Sequence, residues 1–135
     1  MTFGMIKPDA VAAGNAGAIL ARIEEAGFRI AGLKMLRLRK EQAESFYAVH
    51  RGKPFFEDLV AFITEGPVIA MALEKDEAIN AWRELMGATD PAKAAEGSLR
   101  KLYGANISRN AVHGSDAPQT AAVEVPFFFS AAELI

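Results

Sequence analysis

Val68-Ile69-Ala70-Met71-Ala72-Leu73 is an unbroken run of apolar residues. A half-exposed strand alternates apolar and polar positions, so a short run without alternation reads as a buried central strand. Upstream, Pro54 opens a helix that runs through Ile63 and closes near Gly66. Downstream, Asp76 can cap a helix from Glu77 to Met86, with Gly87 to end it. Further out, Phe3 to Lys7 reads as a short strand stopped by Pro8. Ile19, Leu20, Ile23 and Ala26 follow helical spacing and end at Gly27. Phe28 to Arg39 is a second extended stretch whose alternation slips near Ala31-Gly32, which predicts a bulge or bend. Glu41 to Val49 is a helix, and Val123 to Phe129 reads as the last strand. Two strand–helix–strand units in tandem predict an α/β (α+β) chain of the ferredoxin-like split βαβ type. The expected sheet is four-stranded and antiparallel, with helices on one face, in a single domain over residues 1–135.

Gly87 to Val112 breaks this regularity. It holds only short helical fragments, one begun by Asp90-Pro91 and another at Ser98-Leu99-Arg100. Long irregular segments in compact domains are uncommon and are often functional. This one delivers the chain to His113.

The composition narrows the chemistry. Hydrophobic residues make up 51% and charged residues 24%, a globular balance at this length. A net charge of −2 offers no global field for nucleic acid, so any anion site must come from local placement of Lys and Arg. There is no cysteine, hence no disulfide and no thiolate metal site. No apolar run approaches membrane-spanning length, and Thr2 to Lys7 has no signal-peptide pattern. The expectation is a cytoplasmic protein without membrane or nucleic-acid partners.

The chain has two histidines, and His113 lies in Asn110-Ala111-Val112-His113-Gly114-Ser115-Asp116. A histidine of this kind is commonly a satisfied hydrogen-bonding residue. An imidazole is also the one side chain that is largely neutral near pH 7 with a free nitrogen lone pair, able to attack phosphorus without a separate base. Three cations bear on that alternative. Arg83 lies on the stripe of Ile79, Trp82 and Met86, either as a stem with its head in water or as a guanidinium aimed into a cleft. Arg100 sits in the long segment, and Lys7 closes the first strand before Pro8-Asp9. Phosphoryl transfer needs little beyond positioned positive charge and a positioned nucleophile. Phe55 and Phe56 open a helix and serve either the core or a nucleobase platform. Tyr47 precedes them, with a core ring and a wet hydroxyl as its simplest use. Glu124, between Val123 and Val125, faces solvent or orients one imidazole nitrogen and so presents the other.

Neither a Walker A loop nor a dinucleotide fingerprint is present, and no serine lies in G-x-S-x-G. No histidine pair or carboxylate cluster has metal-ligand spacing. If Mg²⁺ takes part, it is expected on substrate phosphates rather than in a protein cage.

Asn110 to Asp116 resembles the active-site signature of nucleoside diphosphate kinases. The likeness extends, in family order, through Ile6-Lys7-Pro8-Asp9-Ala10, Phe46-Tyr47-Ala48-Val49-His50, Pro54-Phe55-Phe56, Gly66-Pro67-Val68 and Arg83-Glu84-Leu85-Met86-Gly87-Ala88-Thr89, nearly the full chain. The resemblance implies ping-pong transfer of a γ-phosphoryl group from a nucleoside triphosphate to His113 and on to a nucleoside diphosphate, with Mg²⁺ as cofactor. It implies that His113 attacks through Nδ1 while Glu124, supported by Ser115, holds the other ring nitrogen. Arg83, Thr89 and Arg100 would bind phosphates. Lys7 would contact the transferring group and the ribose 3′ side, Asn110 the ribose, and Tyr47 would lie beside the transferring group. Phe55 would stack on the base, with Ile107 opposite and Leu59 nearby. The long segment would be the family's proline-started loop, beginning near Pro91, and the assembly a homo-oligomer, hexamer or tetramer. Gly97-Ser98-Leu99 stands where the family often has Gly-Thr-Ile, and Asp90 where Asn is common; neither change removes a catalytic group. A nucleotide-binding scaffold without turnover and a histidine phosphatase are the competing classes, separated by whether phosphoryl groups return to diphosphates.

Overall fold

The computed structural model describes residues 1–135. In chain order the elements are β1 (Thr2–Ile6), α1 (Pro8–Ala12), α2 (Ala16–Glu25), β2 (Arg29–Leu36), α3 (Lys40–Phe46), α4 (Phe56–Ile63), β3 (Val68–Glu74), α5 (Ala78–Met86), α6 (Leu99–Tyr103), β4 (Val112–Gly114) and α7 (Pro118–Phe128). The sheet has four strands in the order β2-β3-β1-β4, and every neighbouring pair is antiparallel. This is the split βαβ arrangement, with β3 and β1 in the middle.

β3 explains why the sheet carries helices on both faces rather than one. Val68, Ala70 and Ala72 enter one core with Phe3, Met5, Ala43, Val60, Ile63, Val125 and Phe128. Ile69, Met71 and Leu73 enter the other with Ile6, Ile19, Ile23, Trp82 and Met86. Side chains alternate across a strand, so a strand apolar at every position must be covered twice. α3, α4 and α7 cover the first face; α2 and α5 cover the second.

Val123–Phe129 is not a strand. Val123 to Phe128 is the second half of α7, and only Phe129 is extended, at φ −125° and ψ 130°. Short apolar and β-branched runs do not distinguish a strand from a packed helix. Pro118 starts α7 at its first turn, where a missing N–H costs nothing. The fourth strand is instead the three residues around His113. Nor does Asp76 cap α5. Glu77 takes the cap position in a left-handed conformation, φ 54° and ψ 42°, because the chain reverses there directly out of β3. The slip near Ala31-Gly32 is a bulge: the β2–β3 register shifts between Ile30 and Gly32. A Cβ on Gly32 would come within 2.9 Å of the Phe129 ring, so the bulged backbone needs a glycine for close approach. The helix expected over Glu41 to Val49 ends at Phe46 and continues as a 3₁₀ turn over Ala48–His50. No helix is long and apolar enough to cross a membrane.

Candidate active site

β4 pairs with β1 so that His113 lies opposite Met5. Opposed residues point to the same face, which sends the imidazole toward α3 and α7. The Phe46 ring lies 5.3 Å from it and the Phe3 ring 6.0 Å, a partly dry aromatic wall. From above, α7 lowers Glu124 onto the ring. Glu124 Oε1 is 3.1 Å from His113 Nε2 and accepts the Ser115 hydroxyl at 2.7 Å. A carboxylate only accepts, so Nε2 carries the proton and Nδ1 keeps its lone pair. Nδ1 bonds to no group of the chain, and the side chain is 24% exposed.

The opposite face of β4 is a tight contact. A Cβ on Gly114 would fall 2.3 Å from Trp82 Nε1, and Trp82 is fully buried. The indole thus backs the strand that carries His113.

Ahead of β4 the backbone is strained. Val112 N–H donates to Asn110 O at 2.9 Å across Ala111, whose φ is +73°. This is a γ-turn of the rare sign, costly for a residue with a Cβ. Its surroundings hold it: Lys7 N–H donates to Ala111 O at 2.8 Å, and Ala111 N–H donates to Asp9 Oδ2 at 3.1 Å. The turn aims Asn110 into the site. Asn110 is 3% exposed; its Oδ1 accepts from Lys7 Nζ at 2.8 Å, and its Nδ2 donates to Thr89 O at 3.0 Å and Ile107 O at 3.1 Å. One amide therefore joins Lys7, Thr89 and the Ile107 loop.

Lys7 is 8% exposed, and burial pulls its ammonium down to about 8; Asp9 opposes that and nearby Arg100 adds to it. Arg100, on α6, donates to Gly87 O at 3.0 Å and Val112 O at 2.9 Å. Burial, with neighbouring Arg83, lowers its guanidinium to about 10, still charged at neutral pH. Its Nε is buried without a partner. Arg83 projects from the last turn of α5 with an exposed side chain. Like charges brought together at such a cost form a ready site for an anion.

Tyr47 is 8% exposed, and burial with Glu124 nearby raises its phenol well above the usual range. Its ring leads through His50, at 6.2 Å, to Phe55, 5.3 Å further on. Phe55 is 45% exposed at the start of α4, and Ile107 is 60% exposed in the loop before β4. Leu59, on α4, is half-buried and packs against the core. Phe56 turns to that core too, which divides the two phenylalanines between the uses open to them.

The geometry gathers His113, Glu124, Ser115 and Tyr47 into one cluster, and Lys7, Asn110, Thr89, Ile107 and Arg100 into an adjoining one. Arg83 and Phe55 stand at the outer margin, with no hydrogen bond from either side chain. Asp9 and Trp82 had no assigned role in the sequence. Asp9 was visible only as the residue after Lys7-Pro8, and Trp82 only as a core position on the α5 stripe. No group of three His, Cys, Asp or Glu side chains stands together as a metal cage.

Known proteins share this sequence and fold. The family model described as nucleoside diphosphate kinase matches residues 1–134. The nucleoside diphosphate kinase of Syntrophotalea carbinolica is 60% identical over 134 residues, covering 99% of this chain and 98% of the relative. That of Geotalea daltonii is 57% identical with the same coverage. Among solved structures, the Aquifex aeolicus nucleoside diphosphate kinase superposes with a TM-score of 0.97 at 44% identity, covering 99% of this chain and 97% of its own. A halophilic nucleoside diphosphate kinase from Halobacterium salinarum, in complex with CDP, gives 0.95 at 44% identity, covering 99% and 90%. The chain belongs to the nucleoside diphosphate kinase family, phosphotransferases that pass a γ-phosphoryl group between nucleotides by a ping-pong route through a phosphohistidine.

Proposed function

We propose that His113 is the residue that carries the phosphoryl group. The observation behind this reading is the Glu124–His113 contact at 3.1 Å, braced by Ser115, which leaves Nδ1 unbonded. The Nδ1 lone pair attacks the γ-phosphorus of a nucleoside triphosphate, the bond to the bridging oxygen breaks, and the nucleoside diphosphate leaves with that electron pair. The ring, still protonated at Nε2, becomes cationic on phosphorylation, and the Glu124 carboxylate balances it. A second diphosphate then attacks the phosphohistidine through a terminal oxygen of its β-phosphate and restores the neutral ring.

Lys7, Arg83 and Arg100 supply the charge that such a transfer needs, with the unpartnered Arg100 Nε as a spare donor. Thr89 adds a polar contact to the phosphates and Asn110 one to the ribose. Tyr47 lies beside the transferring group. Phe55 and Ile107 form the two sides of a base slot with Leu59 at its floor. Stacking reads little of a base edge, so broad base tolerance follows. The cationic cradle suits a polyphosphate that brings its own Mg²⁺, since no carboxylate cage is available. Bound to phosphate oxygens, Mg²⁺ would neutralise charge on the leaving diphosphate. The whole chain acts as one domain, in the cytoplasm, and assembles as a homo-oligomer; the assembly is supported by the open β2 edge, where Leu33 and Met35 are 51% and 61% exposed.

Incubation with γ-labelled ATP tests the central step. The native protein takes up acid-labile, base-stable label and returns it to an added diphosphate; folded His113→Ala takes up none. Normal labelling of that variant overturns the assignment.

A further inference from the structure

The nucleotide cleft lies between two pieces of chain that share little core. One wall is α4, with Phe55 and Leu59. The other is the loop of residues 105–109, with Ile107 at its tip. That loop is a compact turn: Asn106 Oδ1 accepts from Ser108 N at 3.0 Å and Arg109 N at 2.9 Å, and Arg109 O accepts from Ala105 N at 2.8 Å. Arg109 is therefore the base of the turn that holds out Ile107.

From the same residue a side chain crosses to the other wall. Arg109 Nη1 and Nη2 meet Glu65 Oε1 and Oε2 at 2.7 and 3.0 Å, a two-pronged contact just beyond the end of α4. The guanidinium also lies 4.7 Å from the centre of the Phe62 ring, on the last turn of α4, and Lys7 Nζ lies 5.1 Å from that ring. Glu65 itself is tethered: its N–H donates to Phe62 O at 3.2 Å, and Arg37 donates to its carbonyl at 3.3 Å. Asp9 adds a more distant negative charge facing Arg109.

We propose that Glu65 and Arg109 are positioning residues, a latch that spaces the two walls of the base slot and so sets nucleotide affinity. This rests on the reading of Phe55 and Ile107 as that slot. An exposed ion pair contributes little to global stability. Here the two prongs and the Phe62 stack restrict one geometry, and what they restrict is the loop a nucleotide would otherwise have to order on binding. Because the pair is 47% and 40% exposed, salt weakens it. The latch acts on binding and does not touch His113; its link to the phosphate cations is through Lys7, whose Nζ donates to Ser108 O at 3.2 Å and shares the Phe62 ring with Arg109.

The test uses the full-length protein and the variants Glu65→Gln, Arg109→Gln and the swap of Glu65→Arg with Arg109→Glu. Each single variant should raise KM for nucleoside diphosphates three- to ten-fold and leave kcat within two-fold. Inhibition by inorganic tripolyphosphate, which lacks a base, should stay within two-fold of native. The swap should recover most of the lost affinity. Raising salt should increase native KM more than that of either single variant. The latch is overturned if KM is unchanged in both single variants, if tripolyphosphate weakens as much as nucleotides, or if the swap is no better than the singles. Phe55→Ala and Ile107→Ala separate the two claims. If those two leave KM unchanged, the slot reading fails; if they raise it and the latch variants do not, the latch alone fails.

Discussion

His113 and Lys7 illustrate how single residues divide the work. The imidazole needs one nitrogen occupied and one free, and Glu124 meets that demand with a single carboxylate oxygen shared with Ser115. Glu124→Gln keeps a carbonyl acceptor and loses the charge that balances a phosphorylated ring. Transfer should slow by about 1.5–3 kcal/mol, roughly ten- to a hundred-fold, with folding intact. Single-turnover labelling of His113 checks it. Lys7 gives a pH signature. Its ammonium titrates at about 8 in the folded protein against 10.5 ordinarily, chiefly because it is buried. The charge that attracts phosphate fades as pH rises through about 8, so kcat/KM should fall there, and Lys7→Arg should be lower but flat across the same range. Stability moves the other way. Between about 8 and 10.5 the unfolded chain holds the proton that the native state has released, so Lys7 makes stability rise with pH across that window, by about 3 kcal/mol in full. Below pH 8 its burial is simply a cost. The stability difference between Lys7→Met and native should therefore be most favourable to the variant below pH 8 and shrink above it, less the two hydrogen bonds the ammonium donates, to Ser108 O and Asn110 Oδ1, as urea midpoints at several pH values would report. The residue types at both positions were legible in the sequence, because few side chains offer this chemistry. The depression of Lys7 was not, since it comes chiefly from burial beneath segments remote in the chain, with Arg100 adding to it.

At the scale of elements, β4 and α7 decide the site together. β4 has three residues, and its hold on His113 comes from pairing with β1, the Ser115 N–H to Phe3 O bond at 3.1 Å, and Trp82 behind Gly114. Gly114→Ala would press a methyl into a fully buried indole that has no room to move. Overpacking of that kind costs about 1–3 kcal/mol, and the strand should shift His113 away from Glu124. The expected result is a lowered urea midpoint with a transfer rate reduced beyond what unfolding accounts for. At α7 the structure departs from the local sequence pattern. Val123-Glu124-Val125 has strand-like composition, and a carboxylate between two valines fits an alternating strand. The helix forms because Pro118 starts it and because the face over β1 and β3 needs a cover that presents Val125 and Phe128. Tertiary demand overrode local preference. The helix also changes the meaning of Glu124, since a carboxylate borne above the sheet meets the ring on a neighbouring strand. The bulge at Gly32 was readable, because a one-residue slip in alternation has few other causes.

For the molecule as a whole, the sheet order puts β2 on the edge opposite β4, the strand that carries His113. If Leu33 and Met35 on that edge meet a second copy, the double variant Leu33→Glu, Met35→Glu should lower the mass measured by light scattering while the phosphohistidine still forms; an unchanged mass rejects the edge as the contact. The two cores on either side of β3 supply the rigid platform, and the groups proposed for phosphate binding and transfer come from its margin: Lys7 after β1, Arg83 on α5, Arg100 on α6, Glu124 on α7. The amino-acid sequence by itself determined the central strand, the α+β class, the absence of thiol chemistry and the small set of residues able to handle phosphate. It could do so because burial pattern and side-chain chemistry are local properties. Only the tertiary structure decided that helices cover both faces, that a helix delivers Glu124 to Nε2, that Ala111 is held in a strained turn between Lys7 and Asp9, and that Glu65 reaches Arg109 across the cleft. Each of these depends on distances between residues remote in the chain, and those distances follow from how two hydrophobic faces are closed at once.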